Sequence, residues 1–229
     1  MLRLLTFVLS LAVLLGTLIG QVPEAQHHDV RLMDYAVNRI AVIGDSYTAG
    51  SDEGGNGPNG WTTQVWRALT EHGIAVTPTV AAEGGAGYCT RGSHGSVFED
   101  LTVRAVKPSD VLVVFFGSRN DQDVDPTRLS VAMYGTLKLA RQIARSAKFL
   151  VIGPPWPSAD PPPNIRRIRD VLGYQAELAG ATFVDPIAAR WFVGKPELIG
   201  ADGVHPTDAG HIYMAEKLAP MIGAQLNPY

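Results

Sequence analysis

The chain has 229 residues, of which 46% are hydrophobic, and a formal net charge of -3 at pH 7. This length is enough for a full hydrophobic core, and we expect one globular domain. The slightly acidic balance excludes the basic surface by which nucleic-acid-binding proteins hold phosphates, so we expect no nucleic-acid partner. The only cysteine, Cys89, excludes a disulfide within the chain.

An apolar segment stands at the N-terminus. No charged residue occurs between Arg3 and Glu24, and residues 4–19 are almost wholly apolar. This pattern predicts a secretory signal peptide or a retained membrane anchor over residues 1–22, and both alternatives stay open. Residues 23–38 are expected to be a tether to a domain over residues 39–229. In either case we expect an extracytoplasmic domain, secreted or anchored to the outer face of the cytoplasmic membrane, that meets the membrane only through this segment.

Short apolar runs alternate with amphipathic stretches along the remainder of the chain. The runs predict strands at residues 40–43, 74–80, 111–116, 149–152 and 182–184. The stretches predict helices at residues 61–72, 128–148, 165–179 and from a Thr207 cap to about residue 222. The inward face predicted for the last helix is Ala209, Ile212, Ala215, Leu218 and Met221. Residues 51–60, rich in glycine and asparagine, are predicted to be a loop that either rims a pocket or is simply solvated.

Strands that alternate with helices indicate a parallel sheet covered on both faces. The predicted fold class is therefore α/β, a three-layer α/β/α sandwich with a central, mostly parallel five-stranded sheet. In such sheets the ligand binds at the carboxyl ends of the strands. Polar residues that directly follow these ends are therefore candidates for a functional site.

Two short motifs combine the residue types needed for nucleophilic catalysis. Gly-Asp-Ser-Tyr at residues 44–47 places Ser46 just after the first predicted strand, and Asp-Gly-Val-His-Pro at residues 202–206 places a carboxylate three residues before an imidazole. A serine hydroxyl is a poor nucleophile without a neighbouring base, and that base needs an acceptor that fixes its tautomer. We therefore predict Ser46 as nucleophile, His205 as general base and Asp202 as the group that orients His205.

These motifs resemble two blocks of the SGNH (GDSL) hydrolase family, and two further segments fit. Ala-Glu-Gly-Gly-Ala-Gly-Tyr at residues 82–88 is similar to its glycine block, and Gly-Ser-Arg-Asn-Asp at residues 117–121 to its asparagine block. The four segments occur in the family's order. The chain departs from the usual pattern at Tyr47, where Leu is common, at Val80, near the position of an Asn, and at Arg119, where the commoner form is Gly-x-Asn-Asp.

The resemblance implies the family's flavodoxin-like fold and an oxyanion hole. Acyl transfer builds negative charge on a carbonyl oxygen, and fixed hydrogen-bond donors stabilise it. The implied donors are the backbone N–H of Ser46, the backbone N–H of Gly85 and the side-chain amide of Asn120. Either Gly84 or Gly85 could supply the glycine donor.

Four residues near these motifs are candidates for the rim of the pocket. Tyr47 follows the serine, and Asp121 follows the implied amide donor. Arg119 could meet an anionic acyl or sugar substituent. Trp156, in a proline-rich loop after a predicted strand, could stack on a sugar ring or pack in the core.

The predicted function is a serine esterase that hydrolyses small acyl esters through an acyl-enzyme. Its expected substrates are O-acyl groups on cell-envelope carbohydrate or lipid. One alternative is an O-acyltransferase that passes the acyl group to a sugar hydroxyl. Another is a non-catalytic domain that binds carbohydrate or a partner. A thiol mechanism through Cys89 ranks lower, because a lone cysteine is more often a small buried hydrophobic residue. The expected partner is a small-molecule or glycan acyl ester, with no cofactor and no metal, since no cluster has metal-ligand spacing.

Overall fold

A five-stranded parallel sheet forms the centre of the protein, whose computed structural model describes residues 38–226. The strands are β1 (Asn38–Gly44), β2 (Val76–Ala82), β3 (Leu112–Phe116), β4 (Lys148–Ile152) and β5 (Thr182–Val184). Their order in the sheet is β2-β1-β3-β4-β5, and every neighbouring pair is parallel. The helices are α1 (Ser46–Ala49), α2 (Trp61–Glu71), α3 (Phe98–Ala105), α4 (Pro126–Ile143), α5 (Pro163–Leu178) and α6 (Asp208–Leu226).

Each face of the sheet has its own hydrophobic core, because successive side chains of a strand point to opposite faces. Ala41 and Ile43 of β1 are buried with apolar side chains of α3, α4 and α5. Ile40 and Val42 are buried with those of α2 and α6. Full burial of each aliphatic side chain is worth about 1.5–3 kcal/mol. This arrangement confirms the three-layer α/β/α fold class predicted from the sequence.

The boundaries of several elements differ from the predicted ones for local reasons. The strand β1 already includes Asn38, which the sequence assigned to the tether. The strand β2 starts at Val76 because the N–H of Ile74 donates to the carbonyl of Leu69 and closes the end of α2. The helix α4 starts before the predicted residue 128 because the Asp125 carboxylate caps it. The predicted signal or anchor and the rest of the tether lie outside the described residues.

Helix α3 was not predicted from the sequence. It has only eight residues, too few for its apolar spacing to stand out. Its start is stabilised by the Asp100 carboxylate, which accepts the N–H of Val97 at 3.1 Å. A short helix of this kind is held by its buried residues, here Phe98 and Leu101 among them, more than by intrinsic propensity.

The inward face predicted for the last helix was wrong in part. Ala215 and Leu218 are buried as expected, whereas Ala209 is exposed and Ile212 is 48% exposed. The face that packs on the protein begins one position later, at Gly210, where a Cβ would overlap the carbonyl of Leu198. The buried residues of the helix are Gly210, His211, Met214, Ala215, Leu218, Ile222, Gly223 and Leu226. A glycine at a close approach carries no hydropathy signal, so the sequence pattern could not show it.

Candidate active site

The register of the sheet brings three of the four motifs to one edge. Gly44, the last residue of β1, pairs with Ala82 on one side and with Phe116 on the other. The motifs at residues 44–47, 82–88 and 117–121 therefore leave the sheet side by side. This edge is where ligands bind in open parallel sheets.

Ser46 is the first residue of α1 and is half-buried. The Asp45 carboxylate caps this short helix by accepting the N–H of Tyr47 at 2.9 Å. Gly44 permits the tight turn, because a Cβ there would overlap the side chain of Thr48. Burial raises the pKa of Asp45 to about 7, although its hydrogen bond with Tyr47 opposes the rise. These contacts fix the direction in which the Ser46 hydroxyl leaves the strand.

A continuous chain of hydrogen bonds links Ser46, His205 and Asp202. The Nε2 atom of His205 lies 2.9 Å from the Ser46 Oγ, and its Nδ1 atom lies 2.5 Å from Oδ2 of Asp202. Asp202 Oδ1 also accepts the backbone N–H groups of Val204 at 2.8 Å and of His205 at 2.9 Å. Desolvation acts in the opposite direction, but the hydrogen bonds from the His205 side chain and from the two N–H groups lower the pKa of Asp202 to about 2. The ionised Asp202 assigns the proton to Nδ1, which leaves Nε2 able to accept the serine proton.

Glu53 connects the loop after Ser46 to the loop that carries His205. Its Oε2 accepts the backbone N–H of Ala201 at 3.0 Å, and its Oε1 accepts that of Asp202 at 3.2 Å. Gly200 permits this approach, because a Cβ there would overlap the Glu53 carboxylate. The sequence offered no local signal for Glu53, since its partners lie 148 and 149 residues away.

Asp208 makes a second connection between the same two segments, with the carboxylate now on the side of α6. This residue of α6 accepts the N–H of Gly55 and the side-chain amide of Asn59, both at 2.8 Å. The loop at residues 51–60 is therefore attached to both sides of the His205 segment. The sequence left open whether this loop rims a pocket or is simply solvated. Its contacts with the His205 segment show that it is not a simply solvated loop.

The implied oxyanion donors lie at the same edge of the sheet. The N–H of Glu83 donates to the carbonyl of Gly44 at 3.2 Å, which draws the glycine block toward the nucleophile turn. Gly85 has a φ of 80°, a left-handed conformation that favours glycine. Within residues 38–226, the backbone N–H groups of Ser46 and Gly85 have no hydrogen-bond acceptor. The Asn120 amide donates one N–H to the carbonyl of Ala86 at 2.8 Å and keeps its second N–H for another acceptor.

Asp121 does not line the rim where the sequence placed it. It is fully buried, and its carboxylate accepts the N–H groups of Tyr88, Cys89 and Thr90 at 2.7–3.0 Å. It therefore holds the end of the glycine block, a structural role that links the second and third motifs. Gly87 leaves room for this contact, since a Cβ would overlap the carboxylate.

Cys89 has the chemistry of an inert thiol. Burial raises its pKa to about 11, and the negative charge of Asp121 adds to the shift. The thiolate is the reactive form of cysteine, and at neutral pH this side chain holds almost none. Its Sγ lies 3.7 Å from the carbonyl of Arg128, at the start of α4. These features give no support to the thiol mechanism.

The substrate-binding candidates occupy different environments. Tyr47 is only 2% exposed, and its hydroxyl donates to the carbonyl of Val204 at 2.5 Å. It lies in the core and supports the His205 loop, so the rim position expected from the sequence is corrected. Arg119 is half-buried, with its guanidinium carbon 4.5 Å from the centroid of the Trp156 ring. Trp156 also packs at the edge of the core beneath α3, α4 and α5, so its indole is already engaged by the protein.

A groove of about 440 Å³ borders the His205 loop. Its lining is mostly apolar and consists of Pro157, Phe192, Gly194, Lys195, Pro196, Ile199, Gly200 and Gly203. Gly200 and Gly203 flank the segment that Glu53 holds. The groove thus offers an apolar surface next to Asp202.

Two further features concern the described part of the chain alone. Within residues 38–226, no helix combines the length and the apolar character that a membrane span requires. In the same residues, no three side chains of His, Cys, Asp and Glu form a group suited to a metal ion.

The five-stranded parallel sheet and this site define a hydrolase of the SGNH type. Residues 42–212 match the model of the GDSL-like Lipase/Acylhydrolase family. The chain belongs to that family, whose enzymes act on carboxylic esters, so it is a GDSL-type hydrolase with esterase or lipase activity.

Known relatives agree with this assignment. The chain is 55% identical to the GDSL lipase Rv0518 of Mycobacterium tuberculosis over 96% of this chain and 97% of that one. In fold it is similar to the crystal structure of TesA, with a TM-score of 0.66 and 23% identity over 82% of this chain and all of the other. It is also similar to a family two carbohydrate esterase of Clostridium thermocellum in complex with cellohexaose, with a TM-score of 0.65 and 19% identity over 82% of this chain and 64% of that one.

Proposed function

We propose that the protein is a serine esterase that cleaves small acyl esters through an acyl-enzyme on Ser46. The observation that carries the proposal is the pair of hydrogen bonds that joins the Ser46 Oγ to His205 at 2.9 Å and His205 to Asp202 at 2.5 Å. These two hydrogen bonds join a nucleophile, a base of the correct tautomer and a carboxylate that stabilises the imidazolium.

In the first half of the reaction, His205 Nε2 takes the Ser46 proton as Oγ bonds to the carbonyl carbon. The negative charge that develops on the carbonyl oxygen is stabilised by N–H groups of Ser46, Gly85 and Asn120. Loss of one such donor costs about 10²–10³ in kcat in serine hydrolases. The imidazolium then gives its proton to the leaving alcohol, which departs and leaves the acyl group on Ser46. In the second half, water gives a proton to His205 as its oxygen bonds to the acyl carbon. His205 then returns this proton to the Ser46 Oγ as the acyl–oxygen bond breaks, which releases the acid and the free serine.

The proposed substrates are O-acyl groups on carbohydrate or lipid of the cell envelope. One structural neighbour is a carbohydrate esterase that was crystallised with cellohexaose, and the relative with 55% identity is a GDSL lipase. The apolar groove beside Gly200 and Gly203 supports an ester with an apolar portion.

The test is hydrolysis of p-nitrophenyl esters of increasing chain length by the full chain, with and without sugar acceptors. We expect turnover to be fastest with short acyl groups, and mass spectrometry of quenched reactions to place the acyl group on Ser46. Acyl transfer to the added sugar at a rate that exceeds hydrolysis would replace the esterase with an O-acyltransferase. Absence of both turnover and acylation would reject the proposal.

We further propose that the domain works outside the cytoplasm. The support is the uncharged stretch between Arg3 and Glu24, which has the character of a signal peptide or an anchor. Fractionation of cells that express a C-terminally tagged chain tests this. Tagged protein in the medium or on the outer face of the membrane supports export, and full-length protein in the cytosol contradicts it.

A further inference from the structure

Arg119 is a cation without an anionic partner at the candidate active site. It starts the short 3-10 turn Arg119–Asp121 that follows β3 and directly precedes Asn120, the implied amide donor. Among residues 38–226 it forms no ion pair, and its buried Nη1 atom has no hydrogen-bond acceptor. A guanidinium partly withdrawn from water is costly to leave unpaired, and because the Arg119 side chain is only half-buried, a bound anion can reach it from its exposed side.

The groups that face Arg119 hold it in place without neutralising it. The Trp156 ring lies 4.5 Å below the guanidinium and supports its plane. Burial raises the pKa of the Tyr47 hydroxyl, against an opposing effect of the Arg119 charge, so this neighbour is a neutral phenol. The Asp45 carboxyl also feels the Arg119 charge, but burial raises its pKa to about 7 and no ion pair joins the two side chains.

The same neighbours tie Arg119 to the reacting groups. Tyr47 follows Ser46 in the chain, and its hydroxyl contacts the carbonyl of Val204, next to His205. Arg119 is therefore flanked by residues that adjoin the nucleophile, the base and the amide donor. A planar guanidinium presents paired N–H groups that match the oxygens of a carboxylate or a phosphate.

We propose that Arg119 recognises a negatively charged group, a carboxylate or a phosphate, on the ester that Ser46 cleaves. This proposal rests on the esterase function proposed above and names the charge of its substrate. An anionic ester would place its charge against the guanidinium while its carbonyl carbon faces Ser46. Arg119 would thereby select charged over neutral esters of the same size.

The test compares charged esters with neutral ones of matched shape. Phenyl hydrogen succinate and phenyl levulinate differ in a charge on the acyl side, whereas 4-acetoxybenzoate and 4-acetoxybenzamide differ in a charge on the alcohol side. We expect the ratio of kcat/KM for the charged ester to that for its neutral match to fall about 10- to 100-fold in Arg119→Gln, in one of the two pairs. The pair that responds identifies the side of the ester that carries the charge.

Two further variants complete the experiment. Arg119→Lys should keep part of the preference, because it retains the charge and loses the planar pair of N–H groups. Arg167→Gln, at an exposed position of α5, should leave the ratio unchanged. A ratio in Arg119→Gln equal to that of the wild type in both pairs overturns the inference, even when all four esters are hydrolysed. Failure of the wild type to hydrolyse any of them instead counts against the esterase itself.

Discussion

The carboxylate of Glu53 accepts the backbone N–H of Asp202 at 3.2 Å, across 149 residues of sequence. Glu53 lies in the loop that leaves the nucleophile helix, and Asp202 begins the segment that carries His205. This hydrogen bond therefore links the segment that follows Ser46 to the segment that carries His205. A misplacement of about 1 Å in such a site can cost on the order of 10² in rate.

Replacement of Glu53 should have a stronger effect on kcat than on Tm. We expect Glu53→Ala to reduce kcat by on the order of 10², because the N–H groups of Ala201 and Asp202 both lose their acceptor. Glu53→Gln should lose less, since its amide oxygen still accepts one N–H. The measurements are kcat, KM and the rate of labelling by a fluorophosphonate, with Asp52→Asn as the exposed neighbouring control. A lower Tm with unchanged labelling kinetics would show that Glu53 only stabilises the loop.

Removal of the Ser46 hydroxyl should abolish both hydrolysis and fluorophosphonate labelling. Both reactions need the oxygen that His205 activates, so Ser46→Ala is expected to be inactive in each assay. Cys89→Ser is the matched control, and we expect it to retain most activity because the thiol is protonated at neutral pH. Labelling that survives in Ser46→Ala would remove this serine from the mechanism.

The pH profile of kcat/KM tests the general base. Asp202, with its pKa of about 2, stays ionised throughout the working range and keeps accepting the hydrogen bond from Nδ1 of His205. We expect kcat/KM, measured between about pH 5 and 8, to rise with pH, since only a neutral imidazole can accept the serine proton. A profile that is flat over this range, with activity retained in His205→Ala, contradicts the assignment.

Loss of the Asp202 charge should be severe but incomplete. In Asp202→Asn the carboxylate that orients Nδ1–H is replaced by an amide, and we expect kcat to fall by up to about 10⁴-fold. The fall should be smaller than that of His205→Ala, because the base itself is kept. Steady-state kinetics of the two variants, prepared together, provide the comparison.

His211 should make stability depend on pH. It is fully buried in α6, and its Nδ1 accepts the N–H of Trp61 at 3.3 Å. Burial lowers its pKa to about 4 from the ordinary histidine value of 6.5, so between these values the unfolded chain binds more protons and stability rises with pH. Above about pH 6.5 the neutral His211 makes its full contribution to the free energy of unfolding. At about pH 4 this free energy is lower by roughly 3 kcal/mol.

The variant His211→Asn isolates this contribution. Urea denaturation at pH 7 and at pH 4.5 gives its destabilisation relative to the wild type at each pH. We expect a larger destabilisation at pH 7, since the neutral histidine contributes fully only there. The Asp45 carboxyl has a raised pKa and an opposite pH dependence, but it is present in both proteins and cancels in the difference. Equal destabilisation at both pH values would contradict the shift assigned to His211.

The fold class and the positions of the motifs were predictable because their signals are local. An apolar run such as residues 111–116 marks a strand, and the polar residues after it mark the edge of the sheet. Glu53 and Asp208 could not be found in this way, since their partners are distant in the chain. Tyr47 shows a related limit, because nothing in its neighbours reveals that its hydroxyl is buried against Val204. Sequence patterns record hydropathy and spacing, whereas these contacts depend on how two loops meet in space.

The pairing of Ser46 with His205 joins residues 159 positions apart, one just after the first strand and the other just before α6. During synthesis, the serine leaves the ribosome long before its base exists. No fragment that ends before residue 205 can cleave an ester, however much of the sheet it has formed. In refolding, helical circular dichroism can return with the local segments, whereas esterase activity must wait for the long-range closure of the chain. Recovery of activity is thus a direct readout of the contact between the segments that carry Ser46 and His205.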